Sequence, residues 1–321
     1  MHMNRFLWLL LAVLSLFSCK SQETPVSYLR SGMRIDRLSD SSYLSDVRSM
    51  AFDQYLYVTD YERNQIIKLT PEGELLGYLG AKGKGPGEFL GASDIIVHGD
   101  SLWVYNDGNG SFEVFRSDGH LQTIRLPDNI DYSGGFNFFL LRDRLFMSSV
   151  SETNSLCSFD VKTSAIERFG QPKVFDTDIQ TRIRNHRHLS GTDSCIFAVS
   201  DNMPVIEKYS HSGQLLETLD YSGIPIVRER LGVIRENTTP NGYTLLVEDV
   251  CYDDGKLYLL LYANRGTRIS CSDILVIDVS DRTMSCQRLL NLGDSWYETI
   301  CVSSNRLYAF GNNGLERFIL D

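Results

Sequence analysis

Along this chain apolar residues gather in short bursts separated by polar, glycine-bearing turns, and within many bursts apolar and polar positions alternate. Tyr55 to Leu79, YLYVTDYERNQIIKLTPEGELLGYL, shows the unit most plainly. A period of two bounded by turn residues predicts β-strands. The unit recurs as a strand, a polar turn, a strand opening on Leu or Ile plus an aromatic residue, a second turn, and an apolar strand ending in a charged hairpin. The Leu-aromatic marker falls at Leu56-Tyr57, Leu102-Trp103, Leu145-Phe146, Ile196-Phe197, Leu257-Tyr258 and Leu307-Tyr308, so consecutive markers stand 46, 43, 51, 61 and 50 residues apart. The third strand recurs at Ile67-Lys68-Leu69, Val114-Phe115, Cys157-Ser158-Phe159, Glu207-Lys208-Tyr209, Val276-Ile277 and Arg317-Phe318. Hairpin text follows five of these, at Pro71-Glu72-Gly73, Ser117-Asp118-Gly119, Lys162-Thr163-Ser164, His211-Ser212-Gly213 and Ser280-Asp281-Arg282.

A repeat of about 40 to 50 residues is what four short strands and their turns require. The expected fold is therefore all-β: a six-bladed β-propeller of four-stranded antiparallel blades, forming one domain over residues 26–321. The sixth unit runs out at Asp321 after its third strand, and an unpaired edge is a liability. Val26 to Leu38, strand-like and ahead of the first full unit, is expected to supply the missing outer strand and close the ring. The extra length of the fifth unit is assigned to a loop at Ala263 to Cys271 and a linker at Arg228 to Asn241.

Gly80 to Phe89, GAKGKGPGEF, is the densest turn text. It lacks the leading Gly and the hydroxyl of a Walker loop, and Leu90 to His98 after it reads as a strand where a dinucleotide fold needs a helix. It is assigned as a connection between blades, held by Gly83, Gly85, Pro86, Gly87, Glu88 and Phe89. With Val58-Thr59-Asp60 and Thr70-Pro71-Glu72-Gly73 beside it, the chain resembles NHL-repeat and TolB-like six-bladed β-propellers, in particular the exported lipoproteins of Gram-negative bacteria. Gly83 to Phe89 matches that family's inter-blade phrase G-x-G-P-G-E-F. The resemblance implies the fold and leaves the function open, since such propellers serve as binding modules, scaffolds, lyases and lactonases. In these repeats an Asp at the positions of Asp60 and Asp107 commonly bonds the amides of a neighbouring turn.

The first residues change the picture of location. Phe6 to Phe17 is a twelve-residue apolar run behind Arg5, too short to span a bilayer and suited to a signal peptide over residues 1–18. Leu16-Phe17-Ser18-Cys19 resembles a bacterial lipobox, which implies acylation of Cys19, a tether over residues 19–25 and attachment to the outer membrane through the lipid anchor alone. The net charge of −10 becomes −11 once Arg5 is removed, a surface that repels nucleic acid. The six remaining cysteines are read as small buried hydrophobes. Cys251 and Cys301 occupy equivalent positions, and pairing about Ser280 to Arg282 sets Cys286 opposite Ile277, away from Cys271.

Candidate chemistry is sparse. His186 and His188, two apart on one strand face, form with Arg184 the densest titratable cluster. Arg265 and Arg268, in the expected fifth-unit loop, complete a candidate ligand face. Glu248 and Asp249 point to opposite sides of their strand, Asp253-Asp254-Gly255 is a turn, and Trp103, Trp296 and Tyr297 suit blade packing. No nucleophile elbow, zinc motif or Cys/His ligand spacing occurs, so no catalytic residue, metal or cofactor is assigned. The expected function is a monomeric binding module for a cell-envelope protein, peptide or glycan. The alternative is a propeller-type hydrolase or lyase with a divalent cation in the central channel, which three or more converging carboxylate, Asn or His side chains would favour.

Overall fold

The computed structural model describes residues 24–117, 119–132, 134–236, 243–280 and 282–320. The signal segment and Cys19 lie outside these residues, as do Asp118 and Asp281 of two expected turns. Among the described residues no helix is long and apolar enough to cross a membrane.

The chain forms a six-bladed β-propeller of four-stranded antiparallel blades. Their inner strands are Val47–Phe52, Ala92–His98, Phe139–Leu141, Arg187–Gly191, Val247–Asp253 and Tyr297–Ser303, one for each of blades one to six. The second strands, which carry the Leu-aromatic markers, begin at Leu56, Ser101, Arg144, Ile196, Lys256 and Arg306.

The marker has a packing reason. Neighbouring residues of a strand point to opposite faces of the sheet, and a blade is covered on both. Leu56 packs with Tyr308 and Phe310 of blade six, whereas Tyr57 packs with Ile95 and Leu102 of blade two. Likewise Leu102 faces blade one and Trp103 blade three, and Leu257 faces blade four and Tyr258 blade six. Six hydrophobic clusters, one in each gap between blades, thus make up the core. The larger aromatic residue always fills the gap to the following blade.

The N-terminal segment closes the ring as expected and goes further. Ser31–Ile35 pairs antiparallel with Gly314–Ile319, with Ile35 opposite Leu315, and completes blade six. Just before it, Val26–Tyr28 pairs parallel with Ser285–Asn291, with Val26 opposite Leu289, as a fifth strand on blade five. One short segment therefore covers two sheet edges. Blades six and one are also tied where Tyr308 Oη–H and Arg317 Nη1–H donate to Pro71 O at 3.0 and 2.9 Å.

Blade five corrects one expectation. Ala263 to Cys271 is not a loop: Lys256–Arg265 and Arg268–Asp278 pair to the tip, with Ala263 opposite Ser270 and Arg265 opposite Arg268. Gly266, at φ 65°, supplies the left-handed turn such a two-residue hairpin needs. Helix α1 (Asp178–Ile183) lies between blades three and four, and the expected linker Arg228 to Asn241 begins within helix α2 (Pro225–Glu236), its residues 237–241 lying outside those described. Pro225 suits the first helical position, and α2 buries Val227 and Leu231 against the core of blades four and five. Both helices and every connection between blades lie on the propeller face that also carries the turns between second and third strands. This is the loop face.

Candidate functional site

The glycine stretch is built as a tight connection. Gly85 N–H donates to Glu88 Oε2 at 2.8 Å, Glu88 N–H to Gly85 O at 3.0 Å, and Gly83 N–H to Phe89 O at 3.0 Å. Pro86 sits inside this loop, and Gly87, at φ 74°, donates to Glu113 Oε2. Phe89 is fully buried and stacks on Phe115 with ring centroids 5.8 Å apart. Asp60 accepts from Ser45 N–H at 2.8 Å and Arg63 N–H at 3.1 Å. Asp107 accepts from Gly134 N–H and Tyr61 Oη–H. Strand register makes Asn106, not Asp107, the counterpart of Asp60, since Asn106 faces Ser111 as Asp60 faces Gln65. Asn106 bridges the same connection, accepting from Leu90 N–H and donating to Glu88 O.

The central channel encloses a cavity of about 250 Å³ bordered by all six inner strands. Register places one polar residue per blade at its loop-face level: Ser49, Asp94, Asn137, His188, Asp249 and Thr299. Sequence reasoning singled out His188 and dismissed Asp249, and missed the other four. Asp249 accepts from Thr299 Oγ1–H (2.7 Å), Ile300 N–H (2.8 Å), Val250 N–H (2.7 Å) and Asn137 Nδ2–H (3.2 Å). His188 Nδ1 faces Asn137 Oδ1 at 3.4 Å. Asp94 accepts from Tyr132 Oη–H at 2.8 Å and from Gly135 N–H, both in the connection to blade three.

Burial sets the charges of this ring. It pushes the carboxyls of Asp94 and Asp249 up to about 6, and Glu248, whose carboxylate accepts from Tyr262 Oη–H, up to about 7. Burial pulls His188 down to about 3 and His186 to about 4, so both imidazoles are neutral at physiological pH. The ring brings together two carboxylates, an Asn and a His, and each is engaged by its neighbours. Among the described residues no three His, Cys, Asp or Glu side chains are placed to hold a metal ion.

The other expected ligand residues separate. His186 and His188 both lie against Phe136, His186 stacked at 4.3 Å, and Nδ1 of His186 is buried without a partner among the described residues. Arg265 grips both oxygens of Asp273 at 2.8 and 2.7 Å, and Arg268 faces it across the blade-five hairpin. Arg184, capping α1, instead borders a second cavity on the loop face. This cleft, about 900 Å³, lies outside the second-to-third-strand turn of blade four, between the segments leading into and out of that blade. Arg187 on its wall is 2% exposed and pairs with Glu207 at 3.2 Å. Arg184 lies 4.1 Å over the Phe175 ring, and among the described residues neither it nor Arg235 is paired with an acid. Asn202, 2% exposed, also lines the cleft, and among the described residues neither its Oδ1 nor its Nδ2 has a hydrogen-bond partner.

All six described cysteines are free, with Cys286 opposite Ile277.

No known sequence family and no curated protein sequence matches the chain. Solved structures do match in fold. A member of the DUF4221 family from Bacteroides vulgatus superposes with a TM-score of 0.60 at 10% identity, covering 91% of this chain and 97% of that one. A protein of unknown function from Bacteroides thetaiotaomicron gives 0.59 at 11%, covering 90% and 74%. A catalytically inactive virginiamycin B lyase from Staphylococcus aureus with quinupristin gives 0.53 at 11%, covering 90% and 99%. At such identities the likeness is one of fold: the chain shares the propeller architecture with proteins of differing activity.

Proposed function

We propose that the protein is an exported, lipid-anchored propeller of the NHL-repeat or TolB-like type that binds a protein, peptide or glycan of the cell envelope on its loop face. The cleft beside blade four carries this reading. It is large enough for a ligand, and it is edged by Arg184 and Arg235, which among the described residues have no acidic partner, and by a buried Asn amide that has no partner among them. In the channel ring, by contrast, Asp249, Asn137, His188 and Thr299 are bonded to one another and Asp94 is bonded to the connection into blade three. The anchor reading rests on the sequence of Phe6 to Cys19, whose lipobox-like end supports attachment at the outer membrane of a Gram-negative cell. The test is capture of envelope components by the full-length protein from detergent-solubilised membranes. Arg184→Glu should abolish recovery of a specific partner, and Lys162→Glu on the opposite face should leave it intact. Equal recovery by both variants would remove the cleft from the function. Cys19→Ser should release the protein from the membrane fraction.

The channel ring favours a second reading, a hydrolase or lyase that uses a divalent cation, because Asp94, Asn137, His188 and Asp249 converge there. Metal analysis of purified protein separates the two: a stoichiometric divalent ion lost in Asp94→Asn or Asp249→Asn would support the enzyme.

A further inference from the structure

We propose that the cleft beside blade four recognises the carboxylate end of a peptide chain, with Arg184 taking the carboxylate and Asn202 pairing with the adjoining peptide group. The inference rests on the binding-module reading above and names its ligand class.

Charge is the first argument. The chain carries a net charge of −10, yet the cleft is bordered by Lys173, Arg184, Arg187 and Arg235 against Glu207 and Asp220. Glu207 is taken by Arg187, and Asp220 accepts from Ser222 N–H at 2.8 Å. Arg184 is left as a guanidinium held by α1 and the Phe175 ring, with its donors available. A planar fork of this kind matches a carboxylate. A cation-lined cleft on an acidic protein selects a compact anion and repels a polyanion such as nucleic acid.

The second argument is Asn202. A side-chain amide offers donor and acceptor side by side, the complement of the N–H and C=O of a peptide unit. Buried polar groups are nearly always paired, and leaving one unpaired weakens the fold. Among the described residues both polar atoms of Asn202 are without a partner, and the residue lines the cleft. A ligand amide would satisfy both at once.

The walls narrow the choice further. Met203, Leu231 and Ile234 present an apolar surface suited to an aliphatic side chain. Pro172 and Pro204 have no backbone N–H, so these wall positions cannot contribute to the amide nest that cradles a phosphate.

Isothermal titration calorimetry on the full-length protein in detergent tests this with N-acetyl-dileucine as the free acid, the same peptide as its C-terminal amide, and acetate. The free acid is expected to bind saturably, at least tenfold tighter than the amide or acetate. Arg184→Gln and Asn202→Leu are each expected to weaken it at least tenfold. Thermal unfolding provides the control: Asn202→Leu, which removes the unpaired amide, should leave Tm unchanged or raise it. Acid and amide binding alike would overturn the carboxylate assignment and leave the binding-module reading standing. Acetate binding as tightly as the peptide would reduce the cleft to a simple anion site and overturn the peptide assignment. Absence of binding by all three, together with a lowered Tm for Asn202→Leu, would make Asn202 a structural residue and overturn the proposal, whereas the Arg184→Glu capture experiment judges the binding module separately.

Discussion

Replacing Asp249 by Asn isolates the electrostatic state of the channel ring. Burial raises this carboxyl from its ordinary 3.8 to about 6 in the folded protein. Between those two pH values the native state holds a proton that the unfolded state has released, so stability is fully present below about pH 4 and is lost as pH rises through 6. A shift of roughly two units corresponds to about 3 kcal/mol, all of it lost by pH 7. Asn stays neutral at every pH and keeps one acceptor oxygen for Ile300 N–H and Thr299 Oγ1–H. Its amide nitrogen accepts from neither Val250 N–H nor Asn137 Nδ2–H, at a cost of about 2 kcal/mol. The variant should therefore be about 2 kcal/mol less stable than wild type at pH 4 and about 1 kcal/mol more stable at pH 7. His186 and His188, whose folded values are pulled down, act with the opposite sign over the same range, but they are common to both proteins and largely cancel in the difference. Urea unfolding at several pH values reads that difference directly. A difference that does not change between pH 4 and 7, or that moves against the variant as pH rises, would refute the argument that Asp249 carries a destabilising buried charge.

Three further outcomes follow from the closure and the connections. Gly87→Val should cost about 2 kcal/mol in chemical denaturation, because φ 74° is a poor conformation for a β-branched residue and the new Cβ would stand 3.0 Å from the His120 side chain; an unchanged midpoint would show that the connection relaxes freely. Removing the chain up to Ile35 strips the outer strands from blades five and six and should produce oligomers in size-exclusion chromatography with light scattering; a monomer of unchanged Tm would remove the closing role of this segment. Tyr308→Phe deletes the hydroxyl that donates to Pro71 O and should lower stability by about 1 kcal/mol in urea.

Much of this fold is legible in the residues because blade packing imposes a local rule. A strand covered on both faces needs apolar side chains at consecutive positions, and in each gap the aromatic residue of one blade meets the Leu or Ile of the next, so Leu56-Tyr57 and its five counterparts recur and mark each second strand. The turns are legible for a similar reason: left-handed positions such as Gly73, Ser164 and Gly213 admit few residues without strain. The blade-five hairpin was misread because Ala263 to Cys271 combines turn-like Asn, Arg and Gly text with strand pairing that becomes visible only once Arg265 and Asp273 meet.

The ring in the channel belongs to the tertiary structure. Its members are Ser, Asp, Asn, His, Asp and Thr, six positions with no shared residue type, so a search for repeated letters passes over them. One signal was present: from blade two onward each stands eight positions before the first residue of its marker, as in 257 − 249 = 8. The cleft beside blade four has no comparable trace. Arg184, Asn202 and Leu231 come from three separate connections, and only the closing of blade four between its neighbours sets them around one cavity. The sequence by itself determined the blade, since strand spacing and the alternation of packing faces are properties of neighbouring residues. Tertiary structure alone decided the ring and the cleft, because which polar groups converge, and which remain unpaired, depends on how six separate sheets are set around one axis.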